Sequence, residues 1–265
     1  MMELRAVLAS LAFAAMSAIP AGAQLASPNG AGVAMGHLHL YVRDVDANRR
    51  FLIVLGGKAV EIRGMHTIQF PGVDVWLDKG EPTGGTAGTA VNHIGFQVRN
   101  MRESLERWQG AGLKIEPGNR PSQVYLTMPD EIRIEILEEP ALQTPLAFHH
   151  VHFYVTDVAA TEAWYAKILG AVPGKRGRFD AADVPGVNLT FQKADMAQTP
   201  TQGAALDHIG FEVKNLEAFT RKLAAAGVKF DRPYRKRAES NVASAFLTDP
   251  SGTSVELTEG LAAAN

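Results

Sequence analysis

His37-Leu-His-Leu-Tyr-Val-Arg-Asp44 is a stretch that the chain writes four times. It returns as His93-Ile-Gly-Phe-Gln-Val-Arg-Asn100, His150-Val-His-Phe-Tyr-Val-Thr-Asp157 and His208-Ile-Gly-Phe-Glu-Val-Lys-Asn215. Successive side chains of a strand face opposite sides, so Leu38, Leu40 and Val42 share one face, and His37, His39 and Tyr41 the other. The same split sets Val151, Phe153 and Val155 against His150, His152 and Tyr154. In the other two copies Ile94, Phe96 and Val98 oppose His93, Gly95 and Gln97, while Ile209, Phe211 and Val213 oppose His208, Gly210 and Glu212. One face is apolar each time and suits a helix-covered core; the other is polar and opens with histidine.

The residues after each copy repeat as well. Asp44, Asn100, Asp157 and Asn215 are placed to cap helices of about a dozen residues. Glycines then end them: Gly56, Gly110 or Gly112, Gly170 and Gly227. Short strand-like runs come next, such as Val73–Leu77, Val124–Leu126, Val187–Phe191 and Val255–Leu257. The repeating unit is therefore a strand, a helix and several strands. Internal repetition of this kind predicts an α+β chain of four βαβββ units forming two modules, each with a curved mixed sheet around a cleft. The expected boundaries are a module over 36–140, a linker over 141–147, a second module over 148–260 and a tail over 261–265. Parity extends to the closing strands: Ile132, Ile134 and Ile136 oppose Arg133 and Glu135, and Val255 and Leu257 oppose Ser254, Glu256 and Thr258. Both carboxylates thus fall on the polar face.

Composition fits two ordinary domains. The chain has 265 residues, 46% hydrophobic, with a net charge of -2 and no cysteine. Scattered basic residues argue against nucleic acid or an anionic membrane as partner. The short basic run from Arg232 to Arg237 reads as a solvated loop. Without thiols, any metal must sit on imidazole and oxygen ligands, and neither disulfides nor cysteine nucleophiles are available. At the start, Arg5 precedes the apolar run Ala6–Ile19, Pro20 and Ala21-Gly22-Ala23. This is the pattern of a secretory signal over 1–23, with a lead-in over 24–35, and implies a periplasmic or secreted protein with no membrane segment after processing.

The motifs resemble the vicinal-oxygen-chelate superfamily: glyoxalase I, extradiol dioxygenases, methylmalonyl-CoA epimerase, and fosfomycin- and bleomycin-resistance proteins. The resemblance rests on His150–Asp157, Trp164-Tyr-Ala-Lys-Ile-Leu-Gly170, Leu206–Val213 and Asp249-Pro-Ser-Gly-Thr-Ser-Val-Glu-Leu257, and covers nearly everything after residue 36. It implies metal ligands on the first, fifth and eighth strands of a module. Those positions are His150, His208 and Glu256 in the second module, and His37, His93 and Glu135 in the first. Fe(II) or Mn(II) suits two imidazoles and a carboxylate best, with Zn(II), Ni(II) and Co(II) also compatible. The second set is the better one, because Arg133 shares the face of Glu135 and can pair with it, whereas Ser254 stands in the matching place. The family's fourth ligand has no clear equivalent; Gln192, Asp74 and Asp78 are the candidates. Glu212, His152 and Tyr154 are the acid–base candidates. His66 and His149 read as surface histidines. The implied function is a metal-dependent lyase, isomerase or dioxygenase acting on a small substrate with adjacent oxygens, as monomer or homodimer. The rivals are a metal-free ligand-binding protein and a ring-cleaving extradiol dioxygenase.

Overall fold

The computed structural model describes residues 25–261 except 63 and 239. The signal-sequence reading lies outside these residues. The first unit comprises β1 (Val33–Val42), α1 (Val45–Leu55), β2 (Lys58–Ile62), β3 (Met65–Phe70) and β4 (Val73–Lys79). The second has β5 (Val91–Val98), α2 (Met101–Gly110), β6 (Ile115–Pro117), β7 (Gln123–Thr127) and β8 (Arg133–Glu138). The third has β9 (Leu146–Val155), α3 (Val158–Leu169), β10 (Val172–Arg176), β11 (Phe179–Val184) and β12 (Val187–Lys193). The fourth has β13 (Leu206–Val213), α4 (Leu216–Ala225), β14 (Arg232–Lys236), β15 (Ala243–Thr248) and β16 (Ser254–Glu259).

The four helices start as the sequence requires. Asp44, Asn100, Asp157 and Asn215 each accept a hydrogen bond from the backbone N–H three residues on, satisfying a donor that the first turn leaves unpaired. Gly56 and Gly170 end α1 and α3 directly. Helices α2 and α4 run one residue further, to Ala111 and Ala226, and the left-handed turn falls on Gly112 and Gly227.

The pairing of units corrects the expected boundaries. There are two eight-stranded sheets, in the orders β14-β15-β16-β13-β1-β4-β3-β2 and β10-β11-β12-β9-β5-β8-β7-β6. The first sheet therefore joins the first and fourth units, and the second joins the second and third. Neither sheet is built from 36–140 or 148–260 alone. Within each sheet the two halves meet through antiparallel pairing of their first strands, β1 with β13 and β5 with β9.

The connections explain this. The segment expected as a linker is a short arch that wraps the end of β5: Glu139 N–H donates to the Val98 carbonyl (2.8 Å) and Arg99 N–H to that of Pro145 (3.0 Å). It delivers β9 to the free edge of β5, opposite β8. The true crossovers are residues 80–90, rich in Gly and Thr, and 194–205, and they run side by side. Thr83 N–H bonds the Gly203 carbonyl, Ala90 N–H that of Thr199, and Ala205 N–H that of Gly84, at 2.9 Å each. Buried backbone must find partners, and these two excursions satisfy each other.

One apolar core serves both sheets. Phe96 of the second sheet packs against Phe70 of the first at 4.9 Å between ring centres and against Phe148 at 5.4 Å. Trp108 is fully buried, and its indole N–H reaches the Leu55 carbonyl at the end of α1. The turn before β8 lacks a glycine, and Asp130 and Glu131 there take φ of 61° and 60°. Asp130 is held in that conformation by Arg43 (2.7 Å) and Asn48 (3.1 Å), both from the first unit. Gly252 supplies the positive φ at the matching turn of the fourth unit.

Candidate metal centre and a second, arginine-lined cleft

The two sheets carry two clefts, and each gathers a histidine pair and a carboxylate from units distant in sequence. In the first cleft His37 Nε2 lies 2.9 Å and His208 Nε2 3.1 Å from the same oxygen, Oε2 of Glu256. In the second, His150 Nε2 lies 2.9 Å and His93 Nε2 3.5 Å from Oε2 of Glu135. The ligand sets expected from the sequence are thus regrouped. His150 belongs with His93 and Glu135, and His37 with His208 and Glu256, because β9 pairs with β5 and β1 with β13.

Glycine makes room for the innermost imidazole of each set. Gly210 stands opposite His37 and Gly95 opposite His150 in the strand register. A Cβ on either glycine would overlap the facing ring. The sequence displays this as Gly in the second and fourth copies where the first and third have His39 and His152. The space it creates is visible only once the strands are paired.

The first cleft, about 570 Å³, is walled by Trp76, Phe246 and Met65. Trp76 stacks on His37 at 3.8 Å between ring centres. Asp207 Oδ1 lies 2.6 Å from His208 Nδ1, a contact that fixes the ring and turns Nε2 toward Glu256. Burial is the largest influence on His37 and, against the pull of Glu256, brings its pKa down to about 4. Its imidazole is therefore neutral at pH 7, as a ligand must be. Burial also acts to lower His208, but Asp207 and Glu256 outweigh it and the net shift is upward. For Glu256, burial works to raise the pKa, yet hydrogen bonds with His208 and His37 hold the carboxyl below its usual range. His39 joins His37 and His208 in a cluster whose ring nitrogens lie within 4.8 Å of one another. His39 Nε2 in turn contacts Asp78 (3.1 Å).

The donor set of the first cleft fits a divalent ion. Two imidazoles and a carboxylate converge on one point, and among the described residues no cationic side chain is paired with Glu256. In the second cleft the ring nitrogens of His93, His150 and His152 also lie within 4.8 Å of one another, but the carboxylate there is already engaged. Arg176 Nη2 donates to Glu135 Oε2, the oxygen that faces both imidazoles, at 3.1 Å. Gln123 and Tyr125 (3.3 Å) donate to the other oxygen. The expectation that Arg133 neutralises Glu135 is corrected: Arg133 lies over the Tyr125 ring at 3.9 Å, and Arg176, at the end of β10, makes the ion pair. Its counterpart at the end of β2 is the buried Ile62. Sequence alone hides that asymmetry, because Arg176 and Glu135 fall on opposite sides of the expected module boundary.

The remaining site residues fall as follows. Glu212 is no base facing a cleft: its oxygens take the Thr258 hydroxyl (2.9 Å) and the backbone N–H groups of Gly260 (2.8 Å) and Leu261 (2.9 Å). Its position near the outer end of β13 places it beside the end of the fourth unit. His152 and Tyr154 line the second cleft with Gln192, away from His208 and Glu256. Their counterparts in the first cleft are His39 and Tyr41. In strand register Asp74 stands beside His37 and Asp78 beside Tyr41, while Trp76 and Thr190 stand beside His39 and His152. His66 is exposed, as expected, whereas His149 is half-buried, lies 3.0 Å from His150 Nδ1 and is held near pKa 4 mainly by burial. The basic run is largely strand β14, and Arg232 and Arg237 line the first cleft.

Asp74 has a measurable consequence. It is buried, one carboxylate oxygen has no hydrogen-bond partner, and burial raises its pKa from 3.8 to about 6. Because the folded carboxyl holds its proton more tightly than the unfolded one, its penalty is absent below about pH 4, grows between about pH 4 and 6, and is complete above that at roughly 3 kcal/mol. Asn188 stands at the matching position beside His150 in the other sheet. Asp74→Asn is expected to raise unfolding stability by about 1–3 kcal/mol at pH 8 and hardly at all at pH 4. Urea unfolding at the two pH values tests this, and equal effects at both would refute it.

Residues 147–257 match the family model described as Glyoxalase/Bleomycin resistance protein/Dioxygenase superfamily. Over that stretch the chain resembles the vicinal-oxygen-chelate superfamily, and its two-sheet fold is shared with glyoxalase-like structures. Glyoxalase I from Zea mays superposes with a TM-score of 0.69 at 18% identity, covering 86% of this chain and 92% of that one. A candidate dioxygenase from Bacillus subtilis superposes with a TM-score of 0.64 at 18% identity, covering 89% and 86% respectively. At these identities the likeness shows the fold. No curated protein matches the sequence.

Proposed function

We propose that the protein is an exported, metal-dependent lyase or isomerase that binds a small substrate with adjacent oxygens in the first cleft. The observation that carries this is the convergence of His37 Nε2 and His208 Nε2 on Glu256 Oε2 with no competing cation among the described residues. His37, His208 and Glu256 would hold the ion, with Fe(II) or Mn(II) favoured. When bound, it supplies Lewis acidity and open positions for two substrate oxygens. The chain's own part is positional. Trp76 and Asp207 lock the two imidazoles, Phe246 and Met65 exclude water from one wall, and His39, steadied by Asp78, holds a proton at Nε2 within reach of the cleft. The N-terminal signal pattern supports export, which disfavours a cytosolic thiol adduct as substrate.

A dioxygenase is the second reading, favoured by one feature: the two-His, one-carboxylate set of the first cleft. Solvent-deuterium exchange into α-hydroxycarbonyl compounds, followed by NMR, supports the first reading. Oxygen uptake with catechols and no such exchange would replace it with the second.

Purified without chelators, the protein is expected to retain about one equivalent of metal per chain. Arg176→Met should raise this to about two by freeing Glu135 Oε2, and metal analysis of both proteins checks it. No metal in the wild type after reconstitution with Fe(II), Mn(II), Ni(II) and Zn(II) would leave a ligand-binding protein.

A further inference from the structure

The second cleft has its carboxylate occupied by Arg176 but is left open to a ligand. It encloses about 550 Å³, within the range of small-molecule sites. Four guanidinium groups line it, from Arg120, Arg133, Arg176 and Arg178, against the single carboxylate of Glu135. Arg176 is engaged by Glu135, whereas Arg120, Arg133 and Arg178 have no acidic partner among the described residues. Arg133 lies on Tyr125 at 3.9 Å and Arg178 on Phe179 at 4.9 Å, so both planes are supported by rings. A guanidinium held this way offers its N–H groups to carboxylate or phosphate oxygens in bidentate fashion.

A second observation points inward. His152 is buried, lines the same cleft, and neither of its ring nitrogens has a hydrogen-bond partner. Buried polar atoms without partners are rare, and here both belong to one side chain on the cleft wall. The first cleft differs in charge: Arg232 and Arg237 there face Asp78, Asp207 and Glu256.

We propose that the second cleft binds a small dianion, carrying two carboxylates or a phosphate monoester, with Arg133, Arg178 and Arg120 taking its oxyanions and His152 a further polar atom. This site is separate from the proposed metal centre, and its test needs no metal.

The experiment is titration calorimetry of the metal-stripped full chain with phthalate and with phenyl phosphate, using benzamide as neutral comparator. At least one dianion is expected to bind in the micromolar range, to weaken as salt is raised from about 50 to 300 mM, and to outbind benzamide. Phthalate alone identifies carboxylates as the recognised group, and phenyl phosphate alone identifies phosphate. Arg133→Gln combined with Arg178→Gln should weaken binding at least ~10-fold. Arg120→Gln, a change outside any strand, should weaken it too if the double variant fails to fold. Arg232→Gln, in the first cleft, should leave it unchanged. No dianion binding at about 10 mM, equal affinity for benzamide, or loss of binding in Arg232→Gln instead would each overturn the proposal.

Discussion

Glu256→Gln is expected to abolish metal retention, while Glu135→Gln leaves it intact. The substitution keeps the shape of the side chain and removes the only charge on which His37 and His208 converge. Losing a partner that merely orients a ligand costs about 10- to 100-fold in metal affinity, and losing a ligand carboxylate should cost at least as much. Glu135 is already neutralised by Arg176 and ringed by Gln123 and Tyr125, so its loss takes nothing from the first cleft. Metal analysis and competition against a chromophoric chelator measure both variants. Native affinity in Glu256→Gln, or loss of metal in Glu135→Gln, would reverse the assignment of the two clefts. The contrast also separates the regrouped ligand sets from those that sequential modules would give. With sequential modules His150→Ala would lose metal and His37→Ala would not; the structure requires the opposite.

Gly210→Ala should disable the metal centre without touching any ligand. The His37 ring is fully buried between Gly210 and the face of Trp76, 3.8 Å away, so it cannot swing clear of an added methyl. Overpacking of this kind costs roughly 1–3 kcal/mol of stability. A displaced imidazole should lower metal affinity by at least ~100-fold, as for loss of a ligand. Gly95→Ala places the same methyl against His150. It is expected to cost similar stability while sparing metal, because His150 faces a carboxylate already paired with Arg176. Thermal melts paired with metal titration on both variants distinguish the two effects. Metal bound with native affinity in Gly210→Ala would show that His37 is not a ligand.

Local structure is legible in the sequence because local physics sets it. Alternation along His37–Val42 and its three copies fixes which residues enter the core, and Asp44, Asn100, Asp157 and Asn215 fix where helices begin. The resemblance to the superfamily, carried by those same motifs, names His93, Glu135, His208 and Glu256, which line the clefts, and His37 and His150, which are fully buried beside the carboxylates. Glu212 escapes this logic because parity gives the face of a strand, not the position along it. At its end of β13 the carboxylate is claimed by the backbone of Gly260 and Leu261.

By itself, then, the amino-acid order determined four βαβββ units and their apolar and polar faces, and the resemblance added six candidate ligand side chains. Only the tertiary structure decided which units share a sheet. The first strands of all four units present nearly the same faces and edges, so no local pattern prefers β1 beside β13 over β1 beside β5. The choice rests on non-local backbone pairing: the short arch that delivers β9 to β5, and the twin crossovers at residues 80–90 and 194–205 that bond to each other. That pairing brings Arg176 onto Glu135 and leaves Glu256 without a cation, and so makes two clefts of similar sequence chemically different.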